Sequence, residues 1–154
     1  MSNSRDKVQK VMGHGIPTIP LLSVLTAILV AAFPALFLYL NNVEEADFPE
    51  VLPLLLIFSA VGLILLGMAG VVTRSWSKAA LISVVFSVVL INFAILEKLL
   101  TWLISSLKYW HVVPILLVLA FHIAWFIHKK LSPEAAKIAV NILCLVVGGL
   151  ILFN

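Results

Sequence analysis

Charge is what this chain has least of. Ten Lys and Arg and seven Asp and Glu make up 11% of its 154 residues, while 63% are hydrophobic. Soluble domains carry about 25% charged residues, and no soluble core absorbs so much apolar surface, so a water-soluble domain is excluded and lipid must cover the remainder. Cysteine is nearly absent as well. Cys144 stands alone inside an apolar run, which excludes an intramolecular disulfide and a thiolate metal cage. No Asp or Glu interrupts the long apolar runs, and this argues against a self-contained proton-driven transporter or pump. The later runs do not repeat the first two, against an inverted-repeat carrier. The pI is near 9.2, yet no basic stripe interleaved with aromatics is present, so the cationic excess points to membrane orientation rather than to nucleic acid. Acids, bases and nucleophiles form no catalytic constellation, and the chain is read as non-enzymatic.

What remains is a series of apolar runs of spanning length with charges gathered between them. The expected fold class is all-α: a polytopic transmembrane helical bundle of five spans, with four as the fallback if the last is re-entrant. Residues 1–19 form a basic leader with Arg5, Lys7 and Lys10, and residues 20–154 form a single transmembrane domain. The first span is placed at 20–40; Pro34 lies inside it, removing a backbone donor and predicting a kink. An acidic connector with Glu44, Glu45, Asp47 and Glu50 follows; it could draw a cation or a basic partner, or be a solvated turn. The second span, 51–72, and the third, 79–96, are joined by a connector too short for anything but an antiparallel hairpin. The third is 18 residues long, about 27 Å at 1.5 Å per residue, which just crosses the hydrocarbon.

Beyond it, Glu97, Thr101, Ser105 and Lys108 recur at helical spacing opposite Leu99, Leu100, Leu103 and Leu107. This amphipathic stretch is either a tilted extension of the third span or a short helix in the interface, with Trp102, Tyr109 and Trp110 at headgroup depth; the interfacial placement is favoured. The fourth span covers 111–128 and the fifth 133–153, where Ser132 caps a new helix with Pro133 at its first position. A cytoplasmic N-terminus puts Arg5, Lys7, Lys10, Arg74, Lys78, Lys129, Lys130 and Lys137 on the inner side and leaves Lys98 and Lys108 outside. Eight against two follows the positive-inside rule. The expected location is therefore the plasma membrane, multi-pass, with an extracytoplasmic C-terminus.

The basic leader, a first span ending Phe37-Leu38-Tyr39-Leu40-Asn41-Asn42, the acidic connector, the hairpin turn Arg74-Ser75-Trp76-Ser77-Lys78-Ala79-Ala80-Leu81 and the basic-flanked fourth span follow one another in that order. Together they resemble the N-terminal membrane region of bacterial membrane-anchored sulfatase-like proteins, which carry an alkaline-phosphatase-like catalytic domain outside the cytoplasm. The resemblance implies an anchor for such a domain. It carries no catalytic residue onto this chain, which lacks the domain itself.

His122 is the one ionisable residue near the middle of a span. A neutral imidazole there can ligate a haem iron or a chlorophyll magnesium; its plainer role is a hydrogen bond to a neighbouring helix, at Asn92 or Asn141. No second mid-span histidine on another helix is available for a bis-histidine haem. Asn141, Cys144 and Gly148 form a narrow face of small or polar residues on the fifth span, and Ser83 with Ser87 on the third and Gly67 with Gly70 on the second add to an expected set of helix-packing positions. Two functions follow from different classes. One is a non-catalytic membrane module that anchors or scaffolds a larger extracytoplasmic domain or partner. The other is an accessory subunit of a respiratory or photosynthetic membrane complex, with a haem or chlorophyll on His122. Partners are the lipid bilayer and further membrane or extracytoplasmic protein subunits.

Overall fold

A computed structural model describes residues 21–42, 47–104 and 108–153. The basic leader, Glu44 and Glu45 of the acidic connector, Ser105 and Leu107 of the amphipathic stretch, and Asn154 lie outside the described residues. Within them the chain forms six α-helices and no strand: α1 Leu21–Asn41, α2 Phe48–Thr73, α3 Trp76–Ile91, α4 Phe93–Leu103, α5 Tyr109–Lys130 and α6 Pro133–Leu152. Four of them, α1, α2, α5 and α6, are each long and apolar enough to cross a membrane, and α3 with α4 makes a fifth candidate bent by 72°.

The third span is thus not straight through Leu96. It stops at Ile91 after 16 residues, about 24 Å of helix, because Asn92 takes φ −99° and ψ 20° instead of helical values. Asparagine is a poor helix former and a good boundary residue. The backbone ladder stays satisfied across the break: the Asn92 N–H donates to the Val88 carbonyl, and the Asn92 carbonyl accepts from Ile95 and Leu96, all at 3.0 Å. The amphipathic helix consequently starts at Phe93, earlier than its charge pattern suggested, and none of its residues is buried. At 72° to α3, the helix turns away from that helix's axis, with Trp102 exposed on it. The last helix, whose possible re-entrance set the fallback of four spans, is 20 residues long and unbroken. Helix α1 also continues unbroken through Pro34.

The short helix is the central one. Helix α3 packs against α1, α2, α5 and α6, whereas α2 and α5 make no substantial contact with each other. Much of what lines these contacts is small, with Ser23, Ala27, Ala31 and Ala35 on α1, Ala69 on α2, Ala79, Ala80, Ser83 and Ser87 on α3, Ala120 on α5 and Ala136 on α6, joined by a few larger residues such as Leu66, Ile82, Val112 and Leu116. Large apolar side chains point the other way, with Val71, Val118 and Leu145 exposed by 80%, 69% and 75%. That distribution inverts the soluble pattern and fits lipid. In hydrocarbon, burying a leucine between helices gains nothing over leaving it in lipid, so association depends on close van der Waals approach, which small residues permit.

The tightest approach is at Gly62. A Cβ placed there would sit 2.7 Å from the Ala27 carbonyl oxygen and 2.8 Å from the Ala31 Cβ, so α1 and α2 meet backbone to backbone. Gly70 has a second, looser reason to be glycine, since a Cβ would lie 3.2 Å from the Trp76 ring. Gly62→Ala must push α1 and α2 apart and is expected to cost about 1–3 kcal/mol, whereas Gly67→Ala, whose Cβ meets nothing within 4 Å, should be near neutral. Thermal unfolding of the two variants in detergent micelles checks this, and equal stabilities would remove the close approach at Gly62.

Candidate functional site

Two turns bring the chain's clustered cations to one end of the bundle. Between α2 and α3, Arg74 closes α2 in the left-handed region at φ 52°, its N–H donating to the Gly70 carbonyl at 2.9 Å. A non-glycine residue adopts this conformation at a cost of roughly 1–2 kcal/mol, offset here by the bonds it permits. The Thr73 hydroxyl lies 2.8 Å from the Ala69 carbonyl and accepts from the Ser75 N–H at 3.4 Å. Between α5 and α6, the Ser132 hydroxyl accepts from the Ala135 N–H at 3.1 Å and Pro133 opens α6, the capping its sequence predicted.

Lys78 ties the two turns together. Its ammonium donates to the His128 carbonyl at 3.0 Å, one of the last carbonyls of α5, which has no acceptor role within its own helix. A cation in the first turn of α3 opposes that helix's dipole, but the same charge lies at the negative end of α5, and a charge-assisted hydrogen bond outweighs the first effect. Among the described residues, Arg74, Lys78, Lys129, Lys130 and Lys137 therefore share one end with a single carboxylate, Glu134. Asp47, Glu50 and Glu97 lie at the other end with Lys98 and Lys108.

The predicted packing residues divide. Ser83 and Ser87 are 1% and 2% exposed on α3, and Cys144 is buried on α6 beside a half-buried Asn141. Gly70 meets Trp76. Gly67 and Gly148 are different: a Cβ on either meets no atom within 4 Å, so neither lies at a helix contact. Gly67 is one residue past Leu66, whose side chain takes the buried position on that turn of α2. The residue with that role is Gly62, and the neighbouring signal on α1 was Ser23, Ala27, Ala31 and Ala35 at every fourth position. Thr26 was also missed. Its hydroxyl donates to the Leu22 carbonyl at 2.7 Å and stands 3.5 Å from the Val140 carbonyl on α6.

His122 does not face a neighbouring helix of the bundle. The buried face of α5 runs through Val112, Leu116, Ala120 and Ile127, and His122 lies about 200° around the helix from Ala120. It is exposed on the outward side, beside a concavity lined by Pro114, Ile115, Val118 and Leu119. The expected hydrogen bond to Asn92 or Asn141 is not formed; its ring contact is with Trp125, 6.0 Å between centroids. At the near end of α5, His111 Nδ1 accepts from the Lys108 N–H at 3.4 Å, a local cap. Among the described residues no three His, Cys, Asp or Glu side chains are grouped as a metal site.

A furrow of about 440 Å³ lies between α2 and α5, floored by Ile82 and Phe86 of α3. Leu65, Met68, Ala69 and Val72 form one wall, and Phe121, Ala124, Trp125 and His128 form the other. The Phe86 and Phe121 rings meet edge to face with centroids 5.2 Å apart. The furrow exists because α2 and α5 each lean on α3 without closing on one another. Compared with protein-family models, curated proteins and solved structures, the chain matches none.

Two buried hydroxyls, those of Ser23 and Ser87, have no hydrogen-bond partner, whereas Ser83 donates to the Ala80 carbonyl at 2.8 Å. Removing an unpaired buried hydroxyl removes a desolvation cost, so Ser87→Ala should leave stability unchanged or raise it by about 1 kcal/mol. Ser83→Ala should lower it or leave it level. Paired thermal melts in detergent decide this, and a loss in Ser87→Ala larger than that in Ser83→Ala would assign a partner to the Ser87 hydroxyl.

Proposed function

We propose that this chain is a non-catalytic integral membrane module that anchors or scaffolds a larger extracytoplasmic domain or partner protein. The observation that carries the reading is the outward side of α5, where His122 is exposed among Ile115, Val118 and Leu119. Ionisable side chains within membrane spans face protein or water because lipid solvates them poorly. A second protein segment seated on α5 would supply the hydrogen bond that His122 lacks within the chain. The resemblance to the membrane region of sulfatase-like proteins supports the same reading and makes an alkaline-phosphatase-like domain the proposed cargo.

The orientation belongs to the proposal. Arg74, Lys78, Lys129, Lys130 and Lys137 at one end of the bundle favour that end as cytoplasmic, with the N-terminus cytoplasmic and the C-terminus extracytoplasmic at the plasma membrane. Single-cysteine variants at Asp47 and Ser77 in a Cys144→Ser background are expected to react with an impermeant maleimide on intact cells at Asp47 alone. Labelling at Ser77 alone reverses the topology.

A second reading rests on the same residue. In an accessory subunit of a respiratory or photosynthetic complex, the His122 imidazole, with no hydrogen bond inside the chain, would ligate a haem or chlorophyll held at the seam between subunits. Photo-crosslinking residues at Val118 and His122, with Leu145 on α6 as the lipid-facing control, separate the alternatives in native membranes. The scaffold reading expects a discrete protein adduct from the two α5 positions, with the captured partner cleaved by protease added outside the cell. Lipid adducts alone at all three positions would sink it. A Soret or chlorophyll band in the purified complex, lost in His122→Ala, would establish the second reading.

A further inference from the structure

The furrow between α2 and α5 has an apolar bed that ends at a cluster of cations. Its wall on α2 extends from Leu65 to Val72, about 10 Å of helix, against about 15 Å for the hydrocarbon of one leaflet. Its end is defined by Val72 and His128, which are the last turns of α2 and α5 and therefore the basic end of the bundle. Lys78 is fixed there by its bond to the His128 carbonyl, which uses one of the three ammonium donors. Arg74 follows Val72 by two residues, and Lys129 and Lys130 follow His128; all three are exposed. Glu134, the one described carboxylate at this end, is on α6, which packs on α1 and α3 and makes no substantial contact with α5. None of these cations has a carboxylate partner among the described residues.

A second observation points to a ligand at the same place. His128 lines the furrow, and its Nδ1 is buried without a hydrogen-bond partner. Buried polar nitrogens are seldom left so, because the desolvation penalty is unrecovered. An acceptor or donor entering the furrow's end would recover it.

We propose that the furrow is a binding site for an anionic phospholipid of the leaflet at the basic end, with one acyl chain laid over Ile82 and Phe86 between α2 and α5 and the headgroup phosphate held by Lys78, Arg74, Lys129 and His128. The apolar walls select an acyl chain and the unpaired cations select a negative headgroup; basic pockets between membrane helices recognise anionic headgroups through this combination. The site adjoins the Ile115, Val118 and His122 surface at Trp125, whose ring lies 6.0 Å from that of His122, but its floor on α3 and its wall on α2 are separate from that surface. It rests on the membrane-spanning reading alone.

Trp125, in the furrow wall, is the reporter. In the full chain carrying Trp76→Phe, Trp102→Phe and Trp110→Phe, reconstituted into phosphatidylcholine nanodiscs, fluorescence is quenched by phosphatidylglycerol with brominated acyl chains or by brominated phosphatidylcholine at equal mole fraction. The anionic lipid is expected to quench half-maximally at a mole fraction about fivefold lower for each headgroup-contacting cation, the ratio equivalent to ~1 kcal/mol per Lys or Arg near an anionic surface. The difference should shrink as salt is raised. Lys78→Gln is expected to reduce it. Because Lys78 also bonds α5, the double variant Arg74→Gln/Lys129→Gln, at exposed positions, tests the same preference without touching that contact. Ala124→Phe, which narrows the furrow, should lower quenching by the anionic lipid while helicity by circular dichroism is retained. Equal quenching by the two lipids overturns the proposal in favour of ordinary boundary lipid. No quenching by either overturns it in favour of a second copy or another protein filling the furrow.

Discussion

The rest of the bundle depends on how closely α1, α2 and α3 can approach. In water, the transfer of large apolar side chains into a core provides most of the stabilisation. In lipid that term vanishes between helices, and dispersion forces across short distances take its place. Gly62 is the position where this constraint is sharpest, since the Ala27 carbonyl and the Ala31 methyl occupy the space any side chain would need. The alanines of α1 and α3 continue the same surface. With small residues filling most of the contacts, most of the bulky ones are left to the lipid face, and α3, short and carrying buried Ala and Ser, becomes the axis on which the longer helices lean.

A consequence of packing everything on α3 is that its neighbours need not touch. Helices α2 and α5 stay apart, leaving a furrow whose depth is set by Ile82 and Phe86. The same geometry brings the C-terminus of α5 beside the N-terminus of α3, where Lys78 satisfies a carbonyl of a foreign helix. Electrostatics and packing thus act on one end of the molecule together: the turns carry the cations, and the furrow opens among them. The other end is looser, because α3 ends at Asn92 and α4 departs at 72°.

Helix α5 has two distinct flanks as a result. One contributes Phe121, Trp125 and His128 to the furrow; the other exposes His122. A chain with little charge to spend has put its three described histidines on this single helix, one as a cap at the start, one on the outer surface and one at the furrow's end. Their roles differ through their neighbours, since the residue type is the same in each case.

Hydropathy and charge spacing were enough to establish an all-helical bundle with spans near their observed positions, because lipid exposure demands uninterrupted apolar length and water demands charge between the lengths. Those demands are local in the chain. Ser132 and Pro133 likewise announced the start of α6, since a cap is made within three residues. The break at Asn92 was not legible, as an asparagine flanked by apolar residues is compatible with a continuous span until the packing of α3 sets where the helix must turn. Gly67 and Gly148 were read from the sequence as packing positions and Gly62 was not, because only the rotation of α2 and α6 against their neighbours distinguishes them. His122 makes the point most clearly: its depth along the helix could be counted from the sequence, but whether it faced the bundle or the lipid depended on which side of α5 met α3, and that choice was made by Val112, Leu116 and Ala120 through contacts with residues distant in the chain.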